Sequence, residues 1–483
     1  PKALGSALTM AGFELESIAA AAPPFEGVRV AEIVSAQPHP QADKLRVCEV
    51  SLGEGGAPLQ IVCGAPNARA GLKTALATVG AHLPGDLKIK AAKLRGVESA
   101  GMLCSAKELG LSDISEGIVE LPPDAPVGAN VREYLGLDDT VLELAVTPNR
   151  GDAMSMRGIA REVAALASQP MVPPDTTAVA ATSMEQPVIS LGSAAACPRF
   201  HARIIVDVDN TRASPIWLRE RLRRAGVRSI SPVVDITNYI LHDLGQPLHA
   251  FDAAKVRDGK IRVGKLPKGT TFVTLDGKER KLSGEELMIC DSKGGMCIAG
   301  VFGGAVSGVS EQTTGIFLAS AYFSPDVIRK GSQVHGLKTD ASFRFERGTD
   351  PNMPVYALKQ AVLLLQRYAG AKVASELVDI YPQPKADALI EVSFGHINRL
   401  IGKVIDPEEV IAILEGLDIA VSDRTETGFV ATVKPYRVDV TREADIIEEV
   451  LRIHGFQQVP LSENLSTDFL AEHPVKDVAK LQY

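Results

Sequence analysis

Two polar segments flank a glycine-rich stretch in the middle of this chain. The first, VVDITNYILHDLGQPLHAFD, runs over 233–252, and the second, HGLKTDASFRFERGTD, over 335–350. Each sets Thr, Asn, His, Asp or Glu among aromatic and apolar residues. A globular domain usually keeps such groups on its solvated face. Dense mixing therefore points to a pocket with a few placed polar groups in an apolar lining. The alternative is two turns whose polar side chains satisfy local backbone. Between them, GGMCIAGVFGG over 294–304 lacks the Gly-Lys-Ser/Thr ending of a phosphate loop. Its glycines are read as permitting close backbone packing beside the pocket.

The length of 483 residues suggests about three domains. A hydrophobic share of 45% with 23% charged residues is that of an ordinary globular chain. No apolar run approaches the roughly 18 residues of a membrane helix. The start has no signal-peptide layout and no methionine, so the chain is expected to begin inside a longer protein. Cys48, Cys63, Cys104, Cys197, Cys290 and Cys297 are scattered without a CxxC pair. That argues against a disulfide framework or a structural zinc and fits the cytoplasm. A net charge of −8 is not that of a general nucleic-acid coat. Nucleic-acid contact would therefore need local patches. Lys88 and Lys90 would share one strand face, with Lys93 and Arg95 close behind. A second patch holds arginines 212, 219, 221, 223, 224 and 228. For both, a merely solvated face is the alternative.

Along the chain, residues 1–25 read as a short helix and an Ala/Pro-rich link. Short β-rich runs at 28–34, 45–51, 60–62, 74–79 and 101–104 suggest a small barrel. Ser155 can cap a helix whose apolar stripe is Ile159, Val163 and Leu166. Residues 169–190 read as a linker. From Cys197 onward the pattern is α+β. Ser214 serves there as N-cap and Pro215 as first residue of the arginine-bearing helix, which Gly226 stops. Strands are expected at 260–263 and 287–290. A separate unit follows over 390–460, with Asp406 and Pro407 opening a helix that Gly416 closes. A strand over 429–434 and a helix over 445–454 complete it. Asp439, Asp445, Glu448 and Glu449 cluster on neighbouring faces of this last helix and the turn before it. Clustered carboxylates repel unless screened, and hard oxygen donors suit Mg2+. An acidic helix start that complements the dipole is the alternative.

The strings CGAPNARAG, KLRGVESAGMLCSAKELGL, VDITNYILHDLGQPLHAFD and GLKTDASFRFERGTDP occur in that order. Together they resemble the β subunits of bacterial phenylalanyl-tRNA synthetases, from about residue 10 to about residue 460. The resemblance implies a multidomain α+β chain. Residues 1–25 would pack with 143–190, and 26–142 would form a tRNA-binding oligonucleotide-binding barrel. A helix and linker would span 143–196, an editing domain 197–385 and a small helix-and-sheet domain 386–460. Residues 461–483 would be the tail of a truncated chain that lacks the synthetase-like and anticodon-binding domains.

Such a subunit works in a heterotetramer of two α and two β subunits that joins phenylalanine to tRNA-Phe. ATP is used by the α subunit, and neither a membrane nor DNA is an expected partner. The β subunit contributes tRNA docking, through Lys88, Lys90, Lys93, Arg95, Arg219 and Arg223 here, together with a scaffold and hydrolytic editing of Tyr-tRNA. Editing has a physical reason. An apolar synthetic pocket rejects an added hydroxyl only on the order of 100-fold. The family's editing pocket maps onto Thr237, Asn238, His249, Ala319, Thr339 and Ala341. Thr237 and Asn238 would orient the substrate backbone or terminal adenosine. His249 would orient water or contact the ester, while Thr339 and Ala341 would line the side-chain pocket. Ala319 departs from the family, which has glutamate there as acceptor for the tyrosine hydroxyl. A Mg2+ shared with the α subunit falls to Asp439, Asp445, Glu448 and Glu449. The alternative function is a tRNA-binding and α-binding scaffold with an inactive editing site.

Overall fold

In the computed structural model, residues 1–461 are described apart from 54, 116, 173–176, 178 and 183–186. The linker expected over 169–190 therefore lies partly, and the tail over 462–483 wholly, outside the described residues.

The β-rich runs form one antiparallel sheet. Its order is Leu59–Cys63, Ala42–Ser51, Glu26–His39, Lys73–Leu83, Leu87–Lys88, with Gly101–Leu103 also on Lys73–Leu83. Alternation along each strand sends side chains to opposite faces. Ala31, Ile33, Cys48, Val50, Ile61 and Leu76 share one core, while Val28, Val30, Ala75 and Ala77 pack into another. The sheet curls until Ala100 N–H donates to Gln60 O at 2.9 Å, which leaves a nearly closed barrel.

Glu14–Ala20 pairs antiparallel with Thr140–Ala145. Beside this pair lies helix Met156–Ala167, capped as expected by Ser155, whose hydroxyl accepts from Gly158 N–H. Its stripe of Ile159, Val163 and Leu166 packs on Leu8 and Phe13.

The central unit is layered. Its main sheet runs Leu248–Asp252, Ile316–Tyr322, Arg199–Val206, Lys372–Val373. Helices Pro232–Leu244 and Met353–Ala369 cover one face, where Ile236, Ile240, Ala357 and Leu365 meet Ile205 and Leu318. The other face carries Phe200, Ala202, Phe251, Phe317 and Ala319. It packs against Ile289, Ile298 and Ile328, which come from a second sheet and helix Pro325–His335.

The arginine-bearing helix is Ile216–Arg224, and its cap differs from the expected one. Pro215 occupies the N-cap, and Ser214 turns inward to donate its hydroxyl to buried Asp235 at 2.5 Å. A buried carboxylate needs partners more than an exposed helix end needs a cap.

The last unit has a three-stranded antiparallel sheet, Ala388–Ser393, Gly428–Val433 and Ala420–Ser422. Helices Phe394–Ile401, Pro407–Gly416 and Glu443–His454 pack on it. Asp406 caps the second of these, as expected. The third opens two residues earlier than predicted. No described helix is long and apolar enough to cross a membrane. All six cysteines are free and buried.

Candidate functional site

A cavity of about 80 Å3 opens between the main sheet and the glycine-rich stretch. Strand pairing sets its floor. Ala319 lies opposite Ala202 on one side and His249 on the other, so all three side chains share one face. Phe200, Cys297, Phe302 and Ala341 add to the lining. Gly303 belongs to it because a Cβ there would come within 2.8 Å of Leu275 Cδ1 and 3.2 Å of His249 Cε1. This is the close backbone approach that the glycines were expected to allow.

His249 is half-buried, its ring edge-on to Phe251 at 4.3 Å between centroids. Burial in these apolar surroundings pushes its pKa down to about 4. The imidazole is therefore neutral at neutral pH and able to accept a hydrogen bond. Cys297, which sequence reasoning missed, is pushed up to about 12 by burial, so it stays a thiol. Its Sγ–H donates to Ile298 O. Only the strand alternation of 295–298 could have placed it.

The other expected pocket residues divide. Ala319 and Ala341 line the cavity, but Thr237, Asn238 and Thr339 do not. Thr237 and Asn238 sit half-buried on helix Pro232–Leu244, and Thr237 Oγ1 donates to Val234 O in its own helix at 2.9 Å. Thr339 is the N-cap of helix Asp340–Phe345. Its hydroxyl accepts from Ser342 N–H and donates at 2.9 Å to the carbonyl of Val301, a lining residue. Its role in the structure is to fix the wall that carries Ala341.

Lys88, Lys90, Lys93 and Arg95 are all exposed. The strand ends at Lys88, but buried Ile89 keeps Lys88 and Lys90 on the outer side. Arg219 is half-buried. Arg223, also expected to contact tRNA, is half-buried. It pairs with Glu220 at 2.9 Å and donates to Ala21 O at 2.7 Å, tying its helix to the N-terminal segment.

The four acidic positions do not converge, and no described group of three or more His, Cys, Asp or Glu could hold a metal. Asp445 accepts from Thr441 N–H and Arg442 N–H at the helix start, which holds its carboxyl below the usual range despite desolvation. Glu448 is exposed. Asp439 and Glu449 are bonded by arginines. These residues do not fit a magnesium site.

Three family models match stretches of this sequence. A putative tRNA binding domain covers 28–130, a B3/4 domain 196–370 and a tRNA synthetase B5 domain 390–456. The phenylalanine–tRNA ligase beta subunit of Bacteroides fragilis (strain YCH46) is 43% identical over 495 residues, covering 100% of this chain and 60% of the relative. That of Pectobacterium atrosepticum is 46% identical over 459 residues, covering 95% of this chain and 57% of the relative. The chain is similar to these phenylalanine–tRNA ligase beta subunits along nearly its whole length. It spans about three fifths of the length of these curated relatives. A solved N-terminal fragment of the phenylalanyl-tRNA synthetase beta-subunit from Pyrococcus horikoshii aligns at 16% identity and a TM-score of 0.35, covering 65% of this chain and 86% of that one. Within the phenylalanine–tRNA ligase beta-subunit frame, every lining residue of the cavity falls in the B3/4 stretch and the four carboxylates fall in the B5 stretch. The exposed lysines fall in the tRNA-binding stretch, and Arg223 does not.

Proposed function

We propose that this chain is the β subunit of a cytoplasmic phenylalanine–tRNA ligase. It binds tRNA-Phe, scaffolds an α subunit that uses ATP, and carries a hydrolytic pocket for mischarged Tyr-tRNA. The observation that carries the hydrolytic reading is His249, a neutral imidazole set into an apolar cavity beside Ala319 and Ala341. A neutral imidazole can accept a hydrogen bond from a water that attacks an ester and so orient it, and misplacing such a group costs on the order of 10²-fold. The apolar lining takes the aromatic side chain and keeps bulk water away from it.

The test is single-turnover deacylation of Tyr-tRNA-Phe by the complex with the α subunit. His249→Ala should slow it by about 10²-fold with tRNA binding unchanged. Deacylation at the same rate in both proteins would sink the hydrolytic reading.

One observation favours the second reading, a tRNA-binding and α-binding scaffold without editing. Where the family has glutamate, Ala319 gives a tyrosine hydroxyl no acceptor. Under that reading neither protein deacylates, and tRNA binding persists in both.

A further inference from the structure

The strongest feature outside the cavity is a buried chain of alternating charges. Three arginines and four carboxylates from distant parts of the sequence meet where helix Met156–Ala167 faces helix Glu443–His454. Arg150 forms ion pairs with Asp152 at 3.0 Å and Glu162 at 2.5 Å. Arg452 reaches the same Glu162 at 2.5 Å and Glu449 at 2.5 Å. Arg437 holds Glu449 at 2.6 Å and Asp439 at 3.1 Å. Arg150, Glu162, Arg437, Glu449 and Arg452 are all buried.

We infer that Asp439, between Arg437 and Arg150, and Glu449, between Arg437 and Arg452, serve as anionic partners in a network that Glu162 joins across the two units and that locks the 390–456 unit in place, and that they are not magnesium ligands.

The bonding of Glu449 carries this. Its Oε1 accepts from Arg452 Nε at 2.9 Å, and its Oε2 from Arg437 Nη1 at 2.6 Å and Arg452 Nη2 at 2.5 Å. Both oxygens of Asp439 accept from Arg437, at 3.1 and 3.2 Å. Magnesium demands near-octahedral oxygen donors at close range and dehydrates reluctantly. A cation at Glu449 would instead meet two guanidinium groups already bonded there, with like-charge repulsion in a buried site. Moving the arginines aside would break two buried ion pairs, which is strongly destabilising.

The same junction reaches the cavity wall. A Cβ on Gly151 would stand 2.7 Å from Gly348 O, and one on Gly348 would stand 2.9 Å from Val438 Cγ1. Arg344, on the helix that carries Ala341, donates to Met154 O at 3.1 Å. Residues 150–154 are thus held between the cavity-bearing unit and the 390–456 unit. The network sets the register of one on the other.

Thermal unfolding is measured in MgCl2 and in NaCl of equal ionic strength, on the chain and on its complex with the α subunit. The expected result is superimposable curves in the two salts. Glu448→Gln should leave Tm unchanged in both, while Glu449→Gln lowers it by about 5 °C or more in both. In a double-mutant cycle, Glu162→Gln with Arg452→Gln should cost less than the sum of the single changes, since they remove one cross-unit pair. A magnesium-specific rise in Tm, in either preparation, that is abolished by Glu448→Gln or Asp445→Asn would overturn the inference. So would additivity in the cycle. Superimposable curves are read on the unaltered protein, and the variants that would locate a magnesium effect, Glu448→Gln and Asp445→Asn, alter an exposed and a half-buried residue outside the arginine network.

Discussion

Ala319 stands directly opposite His249, in the antiparallel pair formed by Ile316–Tyr322 and Leu248–Asp252. Opposite residues on one face have Cβ atoms about 4.5–5.5 Å apart. Whatever occupies position 319 therefore sets the environment of the imidazole as well as the cavity floor.

Ala319→Glu should change both. A carboxylate beside the ring favours its charged form, so the His249 pKa should rise from about 4. Side-chain NMR titration measures this. The carboxylate would also accept a tyrosine hydroxyl, while phenylalanine would leave it unpaired. A hydrogen bond to a charged group contributes about 1.5–3 kcal/mol, or roughly 10- to 150-fold in selectivity. Deacylation of Tyr-tRNA over Phe-tRNA should improve by that factor. An unchanged ratio together with an unchanged His249 titration would refute the role given to position 319.

His249 also predicts a pH dependence of stability. Its folded-state pKa of about 4 lies below the ordinary 6.5. Between these values the unfolded chain binds the proton and the folded one does not. The stability at stake is fully present above pH about 6.5 and is lost as pH falls toward 4. Urea unfolding across this window should therefore fall more steeply for the unaltered protein than for His249→Gln. Equal slopes would show that the ring titrates alike in both states. Because the imidazole remains neutral, the deacylation rate should show no midpoint near 6.5.

Thr339 tests the difference between lining a pocket and building its wall. Its hydroxyl caps helix Asp340–Phe345 and ties that helix to Val301 O. Thr339→Ala should cost about 0.5–2 kcal/mol in denaturant unfolding, the usual effect of a lost cap, and Thr339→Ser should restore most of it. Loss of tyrosine selectivity with stability unchanged would instead put the hydroxyl in contact with substrate.

What could be read from the sequence follows the range of the interactions. The Ser155 and Asp406 caps were legible because a cap acts over two or three residues. The stripe of Ile159, Val163 and Leu166 was legible because burial follows helical period. The placement of His249 and Ala319 needed only family motifs and strand alternation. Partners far along the chain were not legible. Glu162 meets Arg452 across 290 positions, and no local pattern announces that pair. The four carboxylates therefore read as a free acidic cluster, when two of them belonged to Arg437 and Arg452. Ser214 was misread for the same reason, since its partner Asp235 lies 21 residues on. Arg223 is the instructive case. Its i, i+3 spacing from Glu220 was visible, but its bond to Ala21 O was not.

That distinction separates the two basic patches by experiment. Lys88, Lys90 and Lys93 are exposed and, among the described residues, form no ion pair, so their charge is available to phosphate. Each phosphate contact releases counterions and steepens the fall of affinity with salt, by about 0.7–0.9 in the log–log slope. Reversing all three lysines to glutamate should weaken tRNA binding and flatten that slope by about two to three. Arg223→Ala should leave the slope unchanged and lower Tm instead, because it removes the nearer partner of Glu220 and breaks the tie to the N-terminal segment. Fluorescence anisotropy with tRNA across a salt series, paired with thermal unfolding, reads both effects. If the lysine reversal leaves the slope intact while Arg223→Ala flattens it, the two patches have been assigned the wrong way round.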